Sequence, residues 1–339
     1  MRIGIIGTHW GLMHVGAFRA AGAEVVALCG RQETKTRDIA RREGIPLATT
    51  EVAALCAAVD VVVVAGPDRW HAAHVGQAVD AGRHVLCEKP LTRTAPESRA
   101  LLAREKTLPS TQRCAVSFPY RMLPPVAALA RWLRRQGPAR HLSVTVLNGF
   151  AAAEGWANEG PLLGESGDFA GVSHILDAAL WLLGTTPVWV HATLTGRPVH
   201  TATFQVGLGT GARLTLQHLA AAEPGIHGRW SILGDGWQAR CAGGYVPERG
   251  GWCIGPAEVY QGGVWSEIGP LVEPFSGQRE PWAEAHVAVA RAFLDLLRGE
   301  EHGSLARFAD GGRVQEVLEA AMRSEQEGRR VSCELGAGE

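Results

Sequence analysis

The sequence has almost no net charge. Its 33 Lys and Arg stand against 34 Asp and Glu, which leaves −1 over 339 residues. That balance excludes the basic surface a nucleic acid or an anionic membrane would require. No apolar run approaches the length that spans a bilayer. The chain enters an apolar strand at once, without a basic and then a hydrophobic leader, so the expected location is the cytoplasm and no membrane partner is expected. Seven cysteines are scattered, and no Cys-x-x-Cys pair occurs among them. Reduced thiols are therefore expected, and no metal site. Tyrosine is scarce, at three, whereas there are eleven tryptophans, eight of them between Trp156 and Trp282. Most of these belong in a core or an interface, and a few can wall a pocket for a flat ligand.

What remains is an ordinary globular composition, 46% hydrophobic and 20% charged, on a chain long enough for two domains. The first third alternates apolar strands with helices: RIGIIG, a helix ending in glycine, EVVALCG, the amphipathic KTRDIARREG, DVVVVAG, WHAAHVGQAVDAG, HVLCEKP, PESRALLAREK and RCAVSF. Fully apolar strands between helices predict an α/β fold with a doubly wound parallel sheet covered on both faces. After LPPVAALARWLRRQG the strands lengthen and alternate: HLSVTVLNGF, VWVHATLTG, TATFQVGLG, ARLTLQHLA and RWSILGDGWQARC, with GVSHILDAALWLLG as a helix among them. These predict a second α/β domain built on a large, open, mainly antiparallel sheet. Two helices, WAEAHVAVARAFLDLLRG and GRVQEVLEAAMRSEQEG, close the chain. The expected domains are 1–122 and 123–339.

The stretch Gly7-Thr8-His9-Trp10-Gly11 follows the first strand and opens the first helix. A strand, a glycine turn and a helix N-terminus together suit a pyrophosphate. Gly7 can make the tight turn and Gly11 can let the helix pack on the sheet, but the middle glycine of G-x-G-x-x-G is missing, with His9 or Trp10 in its place. A strand–turn–helix with no nucleotide is the alternative reading of this element alone. The second strand ends in Gly30-Arg31, a cation where an NAD site usually has an acid, which favours NADP(H) over NAD. Lys89, in Glu88-Lys89-Pro90, falls just past an apolar strand, at the edge where ligands bind in open α/β sheets. There it can exchange a proton with a substrate, or simply be a surface lysine held by Glu88.

Taken in order, GPDRWH, CEKPLTRT, SFPYRMLPP, GVSHILDAALWLLG and the terminal SEQEGRRV resemble the glucose–fructose oxidoreductase/inositol dehydrogenase/rhizopine-catabolism superfamily, Gfo/Idh/MocA. The resemblance implies an N-terminal Rossmann domain and a C-terminal domain whose open sheet commonly forms the interface of a homodimer or homotetramer. It also implies an active site between the domains. By that resemblance Lys89 is the E-K-P lysine that relays the proton, and His174 is the histidine facing the reacting carbon. Asp177 is the acid one helical turn on. His71 and Pro67 come from the P-x-x-x-H element near the nicotinamide ribose, and Tyr120 and Arg121 sit near the domain junction. Glu88 and Pro90 complete the E-K-P element.

Two departures stand out. The position four before His174, usually Asp in sugar and polyol dehydrogenases of the family, is Ala170, and Asp168 falls on roughly the opposite face of a helix. The opening turn is also one residue short. With Met13, an Ala-Phe pair and LPPV, that turn resembles the one in thiazolinyl imine reductases of siderophore assembly. The leading expectation is therefore an NADPH-dependent reductase acting on a C=N bond of a small or carrier-protein-tethered substrate, with Lys89, His174 or Tyr120 supplying the proton. The alternatives are an NAD(P)-dependent sugar, inositol or amino-sugar dehydrogenase and a non-catalytic dinucleotide-binding sensor.

Overall fold

The computed structural model describes residues 1–149, 170–195, 201–274 and 279–334. They form two units. The first contains Met1–Pro119 and Ala283–Gln315, and the second Tyr120–Trp282 and Glu316–Glu339. The sequence reading placed everything after residue 122 in one domain. In the structure the stretch 283–315 belongs instead with the N-terminal sheet. Ala306 bridges to Val116, and Gly311 packs so closely on Leu91 that an added Cβ would stand 2.8 Å from the leucine Cβ.

The first unit carries a six-stranded sheet of β1 (Arg2–Ile6), β2 (Glu24–Cys29), β3 (Leu47–Thr49), β4 (Val61–Val64), β5 (His84–Glu88) and β6 (Cys114–Ser117). All pairs are parallel, in the order β3-β2-β1-β4-β5-β6. β4 is four consecutive valines, each fully buried. β-branched residues suit the pleat, and burial on both faces requires helices on both sides. Those helices are α1 (Gly11–Ala20), α2 (Glu33–Glu43), α3 (Val52–Ala58), α4 (His71–Asp80) and α5 (Ala95–Glu105). α2 stops at Gly44, which takes the left-handed conformation. α5 starts on a capping box in which Thr94 and Glu97 satisfy each other's backbone N–H groups. The order of strands reverses between β1 and β4, and at such a point the loops diverge and leave a crevice.

The second unit holds α6 (Pro124–Leu133), α7 (Ala170–Leu183) and a nine-stranded sheet. Its strands are β7 (Ala139–Asn148), β8 (Pro187–Thr195), β9 (Thr201–Leu208), β10 (Arg213–Ala220), β11 (Ile226–Gly234), β12 (Trp237–Val246), β13 (Gly251–Gln261), β14 (Val264–Gly269) and β15 (Val331–Ser332). They run in the order β14-β13-β12-β11-β7-β10-β9-β8-β15, antiparallel except for β7 with β10. Leu142, Val144 and Val146 of β7, Phe204 and Val206 of β9 and Leu214 and Leu216 of β10 are buried. Gln205, Arg229, Ser231 and Arg240 on the alternate positions are exposed. One face is core and the other open, as a period of two dictates.

RWSILGDGWQARC is not one strand but a hairpin: β11 turns into β12 at Asp235-Gly236, where Gly236 has φ +76°. The division of the chain into units falls within two helices, α8 (Pro281–Leu297) and α9 (Phe308–Glu327). Among the described residues no helix is long and apolar enough to cross a membrane.

Candidate active site

The crevice beside β1 is a cleft of about 580 Å³ lined by residues of the first unit. Gly7 shapes its floor. It has φ +129°, and an added Cβ would lie 2.3 Å from the Ala65 carbonyl oxygen, a backbone atom that cannot yield. Gly11 opens α1 against Ile5, where a Cβ would stand 2.8 Å from a methyl group. No side chain caps this helix and no acid lies in its first turn. The Leu12 and Met13 N–H groups bond the His9 and Trp10 carbonyls in a tight first turn, and the positive dipole end of the helix carries no acid of its own to offset an anion. Gly7→Ala is expected to destabilise the protein by about 1–3 kcal/mol, because it adds both a strained φ and a clash, and to weaken dinucleotide binding. Urea unfolding and a binding titration measure the two effects.

The far end of the cleft is cationic. Gly30, Arg31 and Lys35 line it. Gly30 is obligatory there, since a Cβ would lie 2.4 Å from Thr8 and 2.5 Å from Thr36. Among the described residues lining the cleft none is acidic. Thr8, His9, Trp10 and Pro67 line it as well. The residues in the position of the missing glycine thus form part of the wall.

Among the lining residues that sequence reasoning missed are Lys35, Trp70 and His74. Lys35 follows Arg31 by four positions at the start of α2, a spacing that could have revealed it. Trp70 and His74 stack with ring centroids 6.3 Å apart. Burial, and then the neighbouring His71, lowers the His74 pKa.

The other sequence-derived cofactor residues stand behind the cleft rather than in its wall. His71 is buried, with Nδ1 2.8 Å from the Pro90 carbonyl and Nε2 2.9 Å from the Gly66 carbonyl. It ties the loop after β4 to the loop after β5, so its role is to hold two ligand-edge loops together rather than to offer a ring nitrogen to a ribose. Glu88 is buried, and Pro90 follows a cis Lys89–Pro90 bond. Burial raises the Glu88 pKa, but the His14 hydrogen bond and the electrostatic pull of the neighbouring His14, His286 and Lys89 outweigh it. They hold the carboxyl well below the usual range. Lys89 is partly buried at the end of β5, with its N–H donated to Glu88 Oε2 at 3.1 Å.

In the second unit, Tyr120, His174, Trp252 and Trp282 form one aromatic cluster. Tyr120 lies 5.6 Å from His174, 5.3 Å from Trp282 and 6.3 Å from Trp252 between ring centroids. Trp282 meets His174 edge-on at 5.1 Å and stacks on Trp252 at 4.9 Å. Burial pushes the Tyr120 phenol well above its ordinary pKa, which makes it a hydrogen-bond donor rather than a source of phenolate. His174 is 7% exposed and held by rings on several sides.

Asp177 was read as a catalytic acid, and the structure assigns it a different task. Arg121 Nε donates to Asp177 Oδ2 at 2.8 Å and Arg121 Nη2 to Oδ1 at 2.6 Å, with both side chains buried. A bidentate fork engages both oxygens, so Asp177 anchors α7 to the segment entering α6. Arg121 also lies 5.4 Å over the Trp181 ring. Asp168 falls outside the described residues, and α7 begins at Ala170.

Residues 1–116 match the family model for the Gfo/Idh/MocA oxidoreductases, described as an NAD-binding Rossmann fold. Levoglucosan dehydrogenase of Pseudarthrobacter phenanthrenivorans is 32% identical over 43% of this chain and 39% of its own length. The NADP-dependent D-xylose 1-dehydrogenase 2 of Haloferax volcanii is 40% identical over 30% of this chain and 32% of its own. These alignments span less than half the length of those relatives. Inositol 2-dehydrogenase 4 of Saccharopolyspora erythraea is 27% identical over 99% of this chain and 96% of its own length. A solved levoglucosan dehydrogenase, in complex with NADH and levoglucosan, superposes with a TM-score of 0.81 at 21% identity, covering 98% of this chain and 99% of that one, and so shares the fold. These relatives back the sugar and inositol alternative rather than the imine reductase. Residues 1–116, about a third of the chain, are thus similar to the NAD-binding Rossmann domain of the Gfo/Idh/MocA oxidoreductases.

Proposed function

We propose that the protein is an NADP(H)-dependent dehydrogenase of a ring-form sugar or cyclic polyol. The observation that carries this is a glycine-floored, acid-free cleft in the same unit as Lys89, set at the carboxyl end of a parallel strand. The chain's likeness to an inositol dehydrogenase over 99% of its length supports the substrate class. The cleft fits a dinucleotide on its own evidence. A backbone approach is kept open by Gly7 and Gly30, the N-terminal end of α1 begins beside the cleft and would hold the phosphates, and Arg31 and Lys35 would suit an added ribose phosphate. When bound, the nicotinamide supplies the hydride acceptor.

The chain's residues do the proton chemistry. A carbinol loses hydride from carbon and a proton from oxygen, becoming a carbonyl. Lys89 takes the hydroxyl proton as general base, and in the reverse direction returns it. His174 is the second proton-transfer group, oriented by Tyr120 and Trp282, and the Tyr120 hydroxyl donates a hydrogen bond to substrate oxygen. Without an Asp at position 170 the relay is shorter than in most sugar dehydrogenases of the family. We also assign the open face of the nine-stranded sheet, where Leu233 and Trp265 are exposed, to self-association, which light scattering on the purified protein would show as a dimer or tetramer.

Turnover tests the assignment. Inositols, pyranoses and anhydro-sugars are offered with NADP+ and with NAD+, while the absorbance of reduced nicotinamide is followed. Growth with a cyclic polyol is expected. Its absence, with NADPH consumed on a thiazoline substrate, would return the protein to the imine reductase reading. Arg31→Ala is expected to weaken NADP+ binding by about 10–100-fold, the value of a charge-assisted hydrogen bond, and to change NAD+ binding little. Equal effects on the two cofactors would remove Arg31 from the phosphate site.

A further inference from the structure

Three titratable side chains of the first unit meet behind the cleft. His14 comes from α1, Glu88 from the end of β5 and His286 from α8, and none is more than 3% exposed. Their ligand-type atoms all lie within 4.8 Å of one another. Glu88 Oε1 accepts a hydrogen bond from His14 Nε2 at 2.7 Å and stands 3.9 Å from His286 Nε2. Glu88 Oε2 accepts the Lys89 N–H. The His14 and His286 rings meet edge-on at 5.6 Å, and His286 meets the Trp10 ring in the same way at 5.9 Å. Trp10 lines the cleft, 38% exposed.

His14 Nδ1 has no hydrogen-bond partner. A bare lone pair there costs less than a buried N–H without an acceptor, so the ring proton sits on Nε2 and is donated to Glu88. The carboxylate is then held by the His14 Nε2–H and the Lys89 backbone N–H, with His286 Nε2 next to it. A buried anion tolerates little displacement of its partners, because each one lost leaves charge uncompensated. Glu88 is thus a rigid hub, with one oxygen on the Lys89 backbone and the other on the two imidazoles.

We propose that His14, Glu88 and His286 form a positioning site in which Glu88 sets the Lys89 backbone and, through His286, fixes Trp10 as a wall of the dinucleotide cleft. The proposal rests on reading that cleft as the cofactor site. Two histidines and a glutamate are also a zinc-type donor set. Ligands about 2.1 Å from a tetrahedral ion sit about 3.4 Å apart, however, and the short His14–Glu88 hydrogen bond leaves no such room.

The test is a double-mutant cycle read on the dissociation constant for NADPH, which needs no substrate. Trp10→Ala and His286→Gln are each expected to weaken binding by about threefold to tenfold, and the double variant no more than the worse single one. Glu88→Gln, nearly isosteric, should reproduce the His286→Gln loss and leave nothing further for His286→Gln to remove. Multiplicative losses would overturn the proposal, since they mean that Trp10 and His286 act independently. So would stoichiometric zinc in the wild type that disappears in Glu88→Gln. A wild type that binds neither dinucleotide would overturn the cofactor reading itself, and the proposal with it.

Discussion

Asp177→Ala is expected to cost about 3–5 kcal/mol of folding stability, the range seen when one partner of a buried ion pair is removed. Arg121 is 3% exposed and Asp177 1% exposed, and the fork between them has both of its hydrogen bonds well formed. Without the carboxylate, a guanidinium would remain in the interior beside the Trp181 face, without the charge that now forks it. Asp177→Asn keeps the shape but not the charge and should fall in the same direction. Replacing both partners, with Arg121→Met and Asp177→Leu together, should recover much of the loss, because desolvating a paired charge is itself costly. Chemical denaturation measures all three variants. If Asp177 were a proton relay, Asp177→Asn would instead lower kcat with stability unchanged.

Lys89→Met is expected to lower kcat by about 10²–10⁴-fold, the usual contribution of a positioned general base, with the NADP+ dissociation constant within a few-fold of wild type. Methionine keeps the length and the apolar stem, so the loss reports the amine. The Lys89 N–H bond to Glu88 is a backbone contact and survives the change. A variant that instead lost dinucleotide affinity and kept kcat would make Lys89 a cofactor contact and not a base. His174→Asn should reduce kcat by a smaller factor, since the amide can still hold a substrate hydroxyl.

The parallel sheet was legible because its strands are short, wholly apolar and stopped by glycine. Val61 to Val64 and the Gly44 stop of α2 state it outright. The antiparallel sheet was legible in β7 to β10, where buried and exposed residues alternate, but not in β13 and β14. There Gly255-Pro256 interrupts the first strand, and Val264, Trp265, Ser266 and Glu267 are all exposed in the second, so no period of two is visible.

In the site, the glycines carried their own meaning: Gly7 and Gly30 each abut an atom that excludes a Cβ. The polar residues did not. The spacing of His174 and Asp177 puts them one turn apart, but nothing local says that Arg121 takes both carboxylate oxygens. Likewise the P-x-x-x-H element places His71 near the cofactor edge, yet its two backbone carbonyl partners are only visible in three dimensions. Glu88 meets His14 and His286 from elements distant in sequence, and Trp252 and Trp282 reach His174 only after the chain has folded through the second sheet.

The claim at the centre of this account is that hydride moves between a ring carbinol and the nicotinamide on this chain. The most direct measurement supplies NADP+ with a turned-over cyclic polyol deuterated at the reacting carbon and analyses the reduced nicotinamide by mass spectrometry. Stoichiometric deuterium on the nicotinamide is expected, with a slowed rate, and with transfer reduced in step with turnover in Lys89→Met. Unlabelled reduced nicotinamide, or turnover without any change in it, would contradict the account.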